Sequence, residues 1–357
     1  MKARRFKILL LADSRAFHTE RIVGELRRQG CQVLTASLEK GSIHHFHLKS
    51  RGPIRKLHYA FSSLQVRRLI ERFRPDVINA HYACGYGFVA SQATRKGQVP
   101  IVLNLWGSDV LIVPHWSTLH RLKTVRGLAA ACHVTGDSEY LVESARKLTP
   151  LNETSVIPWG VERRFLQESS CSSKVHKPLR IITPRTQAKI YNNDFILDTL
   201  EPMVREGKIT LTFPAFGALA KEFRSKVRRL PASGVTLYEK MPRDEYMEMV
   251  RSHDVYLSAS RSDSSPASLI EAMGLGLVPI AAEIDGVREW LDLSSGITFP
   301  QDDAESLTNA VAKLLRSYES FDQIRKDNFA RVQEEAVFED NVAELLGIMR
   351  KAAGKDR

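Results

Sequence analysis

Two carboxylates eight residues apart, Asp263 and Glu271, have the clearest potential for ligand chemistry in this sequence. Asp263 lies in a polar loop after the apolar run at 255–257, which is typical of the carboxyl end of a buried parallel strand. Glu271 lies inside the helix predicted to follow this loop. Because buried carboxylates are costly without partners, the pair indicates a ligand that carries hydroxyl groups. The alternative is that Glu271 is a surface acid of the helix and Asp263 caps its amino terminus.

The amino terminus of this helix predicts an anion site between the two carboxylates. The helix begins at Pro266 or Ala267, because Pro suits a first helical turn and Ser264 or Ser265 can cap it. A helix amino terminus carries free N–H groups and a partial positive charge, which favour phosphate. A sugar nucleotide would supply hydroxyl groups for the acids and phosphates for the helix. These four residues therefore join the two acids as candidate donor-binding residues.

The stretch from residue 258 to residue 291, SASRSDSSPASLIEAMGLGLVPIAAEIDGVREWL, resembles the acid-x7-acid region of the retaining glycosyltransferases of family 4, which have the GT-B architecture. EAMGLGLVPI is similar to the EAMAxGxPVI block of that family, and DGVREWL to its GGxxEhh turn and helix, with Asp285 replacing the first Gly. The resemblance implies that Glu271 binds the ribose hydroxyls of the nucleotide and that Asp263 meets the hydroxyls of the donor sugar. Asp263 is one methylene shorter than the Glu that is usual at this position.

A basic segment near the start of the second half is expected to bind the donor diphosphate. In the family, an Arg and a Lys follow the strand that here lies at 179–183. Arg185 matches the first, and either Lys189 or Tyr191 occupies the second position. Basic side chains suit this role because negative charge grows on the diphosphate as the glycosidic bond breaks. Met241 lies where the family frames the base with a G-x-h pattern; no Gly is present there, so the base is not inferred.

Loops of the first half carry candidate acceptor-side residues. The strand at 76–80 ends at His81, and strand ends of an open α/β sheet are where ligands bind. Alternatively, His81 is packed between sheet and helix. The loop SRAFH at 14–18 lies where the family has its first phosphate or acceptor loop, which is commonly rich in Gly. Arg15 and His18 could supply charge in this loop, although a solvated loop fits equally well.

The segment WGSD at 106–109 resembles the HGSD-type loop of the family, which lies across the donor from the carboxyl-terminal domain. Trp106 stands in place of the usual His; an indole can stack and donate one N–H, but it relays no proton. Asp109 is expected either to hold an acceptor hydroxyl or to cap the next helix, and Ser108 is grouped with the acceptor side. The candidate catalytic residues are therefore Asp263, Arg185, Lys189, Asp109 and His81.

The elements that must position these residues alternate strand and helix, which is the pattern of a doubly wound α/β fold. The resemblance extends over nearly the whole chain and implies a GT-B fold, in which two Rossmann-like, doubly wound domains face a central cleft that holds the active site. We expect an amino-terminal, acceptor-side domain at 1–166, a linker at 167–178 and a nucleotide-sugar-binding domain at 179–357. The last helix is expected to cross back to the amino-terminal domain.

Charge is distributed unevenly between the two halves. Residues 1–166 contain 26 Lys and Arg against 12 Asp and Glu, a net charge of +14, whereas the remaining residues carry −3. Such a field favours an anionic partner such as phospholipid headgroups, a lipid diphosphate or nucleic acid. The basic stretch 40–59 is expected to face acidic headgroups or the acceptor. A metal site at its His44, His45 and His47 is not expected, since no Cys or carboxylate joins them.

Length and composition place the 357-residue chain among globular proteins of two ordinary domains. The sequence has no apolar run near the roughly 20 residues of a membrane span. The apolar residues at 8–12 are too few for a signal peptide. The four cysteines show no metal-binding spacing, which indicates reduced thiols in the cytoplasm. We therefore expect a cytoplasmic protein, peripheral at the inner face of the membrane if its acceptor is lipid-linked.

The function that the resemblance implies is transfer of a sugar, of the hexosyl type, from a nucleotide-sugar donor to a carbohydrate or lipid-linked acceptor. The setting would be bacterial-type cell-surface glycan synthesis, with retention at the anomeric carbon and without a metal. The donor is a substrate, so no cofactor is expected, and neither is a nucleic-acid partner. Two alternatives stay open: a GT-B-fold sugar-nucleotide epimerase, which would consume the donor without an acceptor, and a non-catalytic binder of anionic ligands.

Overall fold

The computed structural model describes residues 4–41, 45–48, 55–94, 98–167 and 175–355, with the side chains of 55–60 excepted. The chain divides into two compact units, unit 1 (Met1–Pro158 with Glu339–Arg357) and unit 2 (Trp159–Phe338). Each unit is built on a parallel sheet whose strands alternate with helices. The predicted fold class, two Rossmann-like α/β domains, is therefore confirmed.

Unit 1 contains strands β1 (Lys7–Leu11), β2 (Gln32–Ser37), β3 (Phe46–His47), β4 (Val77–His81), β5 (Ile101–Asn104), β6 (His133–Gly136) and β7 (Glu153–Val156). Its helices before residue 158 are α1 (Phe17–Arg28), α2 (Arg55–Phe73), α3 (Phe88–Ala93), α4 (Ser108–Leu111), α5 (Thr118–Ala130) and α6 (Glu139–Arg146). A π-helical segment spans Tyr82–Gly87, and a 3₁₀ turn spans Val113–His115. Within the described residues the sheet order is β3-β2-β1-β4-β5-β6-β7, with all neighbours parallel.

Unit 2 contains strands β8 (Leu179–Ile182), β9 (Ile209–Pro214), β10 (Val235–Tyr238), β11 (Val255–Ser258), β12 (Val278–Ala282) and β13 (Ile297–Phe299). Its helices are α7 (Arg163–Gln167), α8 (Asn193–Arg205), α9 (Ala220–Val227), α10 (Arg243–Arg251), α11 (Ala267–Gly274), α12 (Asp285–Arg288), α13 (Ala304–Ser317) and α14 (Asp322–Glu335). The described strands form a parallel sheet in the order β10-β9-β8-β11-β12-β13.

The boundary between the units falls earlier than residue 166, where we expected it. Val161, Phe165 and Leu166 are buried in an apolar cluster of unit 2, because these side chains pack with those of α11. The expected linker at 167–178 lies largely at 168–174, outside the described residues. The final helix, α15 (Phe338–Ala352), leads into residues that cluster with unit 1, where the ammonium of Lys355 pairs with the carboxylate of Asp76.

Both sheets have strands that are buried on both faces. In β1, which reads KILLL, every residue after Lys7 is buried, as expected for a parallel strand covered by helices on each side. In each sheet the strand order reverses once, between β1 and β4 in unit 1 and between β8 and β11 in unit 2. Loops that leave neighbouring strands at such a reversal diverge and form a crevice where ligands bind. Ligand-binding residues are therefore expected in the loops after these four strands.

The described helices include none that is both long enough and apolar enough to cross a membrane. Cys31, Cys84 and Cys132 are free thiols, and Cys171 lies outside the described residues.

Candidate active site

The loops after β8 and β11 bring Arg185 and Asp263 into an ion pair. The Nη2 group of Arg185 donates to Asp263 Oδ2, and its Nη1 group donates to Ser268 Oγ at 3.3 Å. The guanidinium lies over the ring of Tyr191, with its central carbon 4.3 Å from the ring centroid. Burial alone would lower the pKa of Arg185, but the carboxylate of Asp263 together with neighbouring tyrosines, Tyr191 among them, holds this pKa above its usual range. The guanidinium of Arg185 is therefore charged at neutral pH.

Backbone contacts hold the Arg185 loop in place. The amide N–H of Gln187 donates to Phe216 O at 2.9 Å, and its side-chain amide donates to Pro214 O at 2.8 Å. Gly217 has a φ of +124°, and a Cβ there would overlap the backbone of Gln187, so only Gly permits this close approach. Asn193 at the start of α8 donates to the carbonyl of Arg185 at 2.8 Å. The Arg185 loop is thus held by the end of β9, by the loop after it and by the start of α8.

The loop that carries Asp263 depends on a second glycine. A Cβ at Gly286 would overlap the carbonyl oxygens of Asp263 and Ser264, so the first turn of α12 can approach this loop only because Gly286 has no side chain. This is the second Gly of the GGxxEhh pattern. Asp285, which replaces the first Gly, is exposed and lies 3.5 Å from Arg288. The replacement therefore leaves the packing of the loop intact.

Helix α11 begins at Ala267, as predicted, but neither serine caps it. The N-cap position is Pro266, without a side-chain hydrogen bond to the helix, because Pro offers no polar side-chain atom. Ser264 and Ser265 are buried instead, and Ser265 Oγ has no hydrogen-bond partner among the described residues. The first N–H groups of a helix have no intrahelical acceptor. A buried unpaired hydroxyl beside them is suited to bind an anion.

Glu271 is buried one turn further into α11 and is paired with Arg243, at the start of α10. Arg243 Nη1 lies 2.8 Å from Glu271 Oε1, while its Nη2 and Nε donate to Glu162 at 2.8 and 3.2 Å. Tyr246 donates a longer hydrogen bond, 3.4 Å, to Glu271 Oε2. Burial lowers the pKa of Arg243, but Glu271 and Glu162 more than compensate and raise it. One carboxylate oxygen of Glu271 is thus occupied by Arg243, and the other is held only weakly.

Sequence reasoning did not identify Arg243 or Glu162 as part of the site. The available signal was general: a buried Glu requires a counterion, and the sequence does not indicate which of many arginines supplies it. Glu162 and Arg243 are 81 residues apart, so no local pattern links them.

The remaining donor-side candidates lie at the same edge of the sheet but differ in their surroundings. Lys189 opens the 3₁₀ turn Lys189–Tyr191 and is exposed, without an ion pair among the described residues. Tyr191 contacts Arg185, as described above. Met241 is half-buried in the loop between β10 and α10. Close by in sequence, Tyr238 contacts Phe216 and Tyr246, with ring centroids 6.0 and 6.4 Å apart.

In unit 1 the structure brings three acceptor-side candidates together. The ring of Trp106 lies 5.7 Å from that of His81 and 5.9 Å from that of His18, centroid to centroid. His81 is buried, and its Nε2 lies 3.0 Å from Asn79 Oδ1, which can only accept. Nε2 therefore carries the proton, and Nδ1, which has no hydrogen-bond partner in the described part of the chain, is an acceptor. Burial lowers the pKa of His81 to about 3, so the ring is neutral at pH 7.

Asp109 joins two loops of unit 1. Its Oδ2 accepts from Ala83 N at 2.7 Å and its Oδ1 from Trp106 N at 3.0 Å, which connects the segments after β4 and β5. Burial raises the pKa of Asp109 to about 6, although the backbone donors act in the opposite direction. Both oxygens are thus engaged by the backbone, whereas we expected this side chain to bind an acceptor hydroxyl or to cap the helix. The N-cap of α4 is Gly107, and it has no side-chain cap bond.

Arg15 and Ser108 also have partners within unit 1. Arg15 is exposed and forms two hydrogen bonds to Asp13, at 3.1 and 2.8 Å, so much of its charge is neutralised locally. Ser108 Oγ lies 3.0 Å from the hydroxyl of Tyr82. The described residues contain no group of three or more His, Cys, Asp or Glu placed to hold a metal ion; His44 lies outside them.

Comparison with known families identifies both units. Residues 7–138 match the family described as glycosyl transferase 4-like, and residues 181–317 match glycosyl transferases group 1. A curated relative is the putative teichuronic acid biosynthesis glycosyltransferase TuaC of Bacillus subtilis, which is 25% identical over 240 residues. That alignment covers 67% of this chain and 61% of the relative, so the chain spans less than two thirds of its length.

Solved structures of the same architecture align over almost the whole chain. Sucrose-phosphate synthase from Thermosynechococcus elongatus has a TM-score of 0.82 and 16% identity, with 97% of this chain and 99% of that chain covered. HepE of Anabaena, in complex with UDP and glucose, has a TM-score of 0.81 and 15% identity, with 97% and 100% covered. With a glycosyltransferase family matched on each unit and this architecture throughout, the chain belongs to the GT-B glycosyltransferases.

Proposed function

We propose that the protein transfers a sugar from a nucleotide-sugar donor to a carbohydrate acceptor in cell-surface glycan synthesis. The observation that carries the proposal is the pair of arginine-bound carboxylates, Asp263 and Glu271, on either side of the amino terminus of α11. Two comparisons support it: the name of TuaC assigns that relative to teichuronic acid biosynthesis, and HepE was solved with UDP and glucose.

The donor would bind on unit 2 by exchanging partners with groups that are already paired. Glu271 Oε2 accepts the ribose hydroxyls while Arg243 retains Oε1. The phosphates replace Asp263 as the partner of Arg185 and reach the first turn of α11, where Ser265 Oγ donates to them. Asp263, once released, accepts hydroxyls of the donor sugar. Lys189, which is exposed and follows Arg185 closely in the sequence, adds positive charge.

We further propose that transfer proceeds with retention at the anomeric carbon and without a metal ion or other cofactor. Arg185 and the helix amino terminus supply the positive charge that stabilises the departing diphosphate. The acceptor hydroxyl oxygen would then bond to the anomeric carbon from the face that the diphosphate leaves. The bond between this carbon and the diphosphate breaks, and an oxygen of the departing diphosphate takes the hydroxyl proton. Activity should accordingly persist in the presence of a chelator, and strict dependence on an added divalent cation would contradict this part of the proposal.

The acceptor would bind on unit 1, where Trp106, His18 and His81 come together. An indole offers a flat face to a sugar ring, and His81 Nδ1 can accept a hydrogen bond from one hydroxyl group. A lipid-linked acceptor and a position at the cytoplasmic face of the membrane are part of this proposal. In the stretch 40–59, where we expected membrane contact, residues 42–44 and 49–54 and the side chains of 55–59 lie outside the described part of the chain; these include Lys49 and Arg51, and the side chains of Arg55 and Lys56.

The proposal is tested by incubating the protein with a panel of nucleotide sugars and candidate acceptors and identifying products by mass spectrometry. We expect a glycosylated acceptor from one donor, with the product lost in Asp263→Ala. The matched control is Asp285→Ala, an exposed acid of the same region that should leave activity unchanged. Conversion of the donor to an epimer without any acceptor would identify an epimerase instead. Absence of nucleotide-sugar binding would favour a non-catalytic role.

A further inference from the structure

An exposed apolar face lies on unit 1, at and just before the start of α5. Trp116 exposes 66% of its surface, Leu122 60% and Leu119 44%. The two leucines are three residues apart on a helix and so lie on one face of α5. We call Trp116, Leu119 and Leu122 the α5 face. Large apolar side chains grouped in this way on a protein surface mark a binding site more often than singly scattered ones do.

The position of this face is well defined. Ser117 is the N-cap of α5, and its hydroxyl accepts a hydrogen bond from His120 N at 3.4 Å. The ring of Trp116 packs edge-on against that of His120, with centroids 5.6 Å apart. The opposite side of α5, at Thr124 and Leu128, is buried in unit 1. The exposed side chains are thus presented by a helix that is anchored along its other side.

The surroundings of the α5 face are basic. Arg121 and Arg126 are exposed on the same helix, and neither forms an ion pair within the described part of the chain. Residues 110–136 contain no Asp or Glu. The segments on which α5 mainly packs, Tyr82–Gly87, α3, Val113–His115 and β5, contain none either. This helix therefore combines an apolar surface with positive charge that nearby acids do not neutralise.

We propose that the α5 face docks on an anionic lipid bilayer. Trp and Leu side chains enter the boundary between headgroups and acyl chains, while arginines beside them contact phosphates, which is how interfacial helices bind. A second copy of the chain fits less well, because pairing two such faces would bring Arg121 and Arg126 near their own counterparts. A saccharide fits less well too, because these three side chains offer no carboxylate or amide. The proposal stands independently of the proposed transferase activity.

The test is sedimentation with vesicles of phosphatidylcholine alone or of equal parts phosphatidylcholine and phosphatidylglycerol. We expect the protein to bind the mixed vesicles, to bind them less at high salt and to ignore the neutral ones. Replacing Trp116, Leu119 and Leu122 together by Ser should reduce binding about tenfold or more. The matched control is Leu293→Ser on unit 2, which changes a leucine that is 91% exposed and should bind as the unchanged protein does. Equal binding by the triple variant and the control would overturn the proposal.

A second measurement locates the contact. Phospholipids brominated along the acyl chain should quench tryptophan fluorescence in the bound protein, and Trp116→Phe should abolish the quenching while preserving vesicle binding. Quenching that persists in Trp116→Phe would show that another surface enters the bilayer. Analytical ultracentrifugation without lipid tests whether a second copy of the chain binds the α5 face instead. If the unchanged protein is a dimer and the triple variant is a monomer, the α5 face is a self-association surface and membrane docking is refuted.

Discussion

Arg185 and Asp263 form an ion pair across the point in the sheet of unit 2 where the strand order reverses. Arg185 follows β8 and Asp263 follows β11, and these strands are neighbours, with Ile181 opposite Val255. The pair keeps both charges neutralised until a ligand arrives. In the donor complex proposed above, the diphosphate replaces Asp263 as the partner of Arg185, and the released carboxylate becomes available to sugar hydroxyls. Binding of the phosphates and preparation of the sugar site are thereby coupled.

Removing the guanidinium should therefore impair turnover more than donor binding. In Arg185→Ala we expect the turnover number to fall about 100-fold or more, because negative charge on the diphosphate grows in the transition state. The donor dissociation constant should rise much less, since the ground-state gain is offset by loss of the Asp263 pair. Steady-state kinetics and calorimetry measure the two effects. Arg261→Ala is the control, because Arg261 pairs on the surface with Asp302 at 2.9 Å. Equal losses in turnover and in donor binding would contradict the assigned role.

Arg243 should act through Glu271 on recognition of the ribose. Arg243 holds Oε1 of Glu271, so it fixes the orientation of the carboxylate and leaves Oε2 for the ribose hydroxyls in the proposed donor complex. We expect the wild-type protein to prefer the donor nucleotide over its 2′,3′-dideoxy analogue by about 1–3 kcal/mol, the usual cost of leaving a buried polar group unpaired. Glu271→Gln and Arg243→Met should each reduce this preference.

The ratio of the dissociation constants of the donor nucleotide and its 2′,3′-dideoxy analogue distinguishes a change in the orientation of Glu271 from a loss of protein stability. Arg243→Met leaves the buried carboxylate of Glu271 without its ion-pair partner and should destabilise unit 2 by about 3–5 kcal/mol. Partial unfolding weakens the binding of both nucleotides equally, whereas loss of the Glu271 orientation weakens the binding of the ribonucleotide alone. Arg164→Met is the control, since Arg164 is exposed and pairs with Asp244. An unchanged ratio in Arg243→Met would remove Arg243 from ribose recognition.

Local signals explain what could be read from the sequence. Continuous apolar strands, the Pro266 helix start and the Asp285-Gly286 turn are features of short segments, and the family resemblance of 258–291 is also local. The Arg185–Asp263 and Arg243–Glu162 contacts join residues 78 and 81 positions apart, so no periodicity reveals them. The group of His18, His81 and Trp106 was partly foreseeable, because these residues follow β1, β4 and β5, which are adjacent in the sheet.

His81 should make stability depend on pH. Burial lowers the pKa of His81 to about 3, against a usual value of 6.5 in the unfolded chain. The folded protein favours the neutral ring. The contribution of His81 to the free energy of unfolding is therefore fully present above about pH 6.5 and is lost as pH falls toward 3. Between pH 7 and pH 4 this loss amounts to about 3 kcal/mol.

His81→Gln should flatten this pH dependence, because Gln stays neutral and its amide can still donate to Asn79. Urea unfolding at several pH values between 4 and 7 measures the difference between wild type and variant. Exposed His115→Gln serves as control and should follow the wild-type curve. Asp109, whose pKa burial raises to about 6, acts in the opposite direction, since its contribution is lost as pH rises through 6. Comparing single variants against wild type cancels that effect; parallel wild-type and His81→Gln curves would refute the prediction.

Gly286 should be essential to the loop that carries Asp263, whereas another glycine of the chain should not be. A Cβ at Gly286 would overlap the carbonyl oxygen of Ser264, so Gly286→Ala must displace the loop or the first turn of α12. We expect a loss of about 1–3 kcal/mol in the free energy of unfolding, as in overpacked cores, together with weaker donor binding.

Gly24 is the matched control: it lies inside α1, and a Cβ there would meet no atom within 4 Å. Gly24→Ala should stabilise the protein by about 0.5–1 kcal/mol, because Ala loses less backbone entropy in a helix. Urea unfolding and donor titration measure both effects, and a Gly286→Ala protein as stable and as tightly binding as wild type would show that the loop tolerates a side chain there.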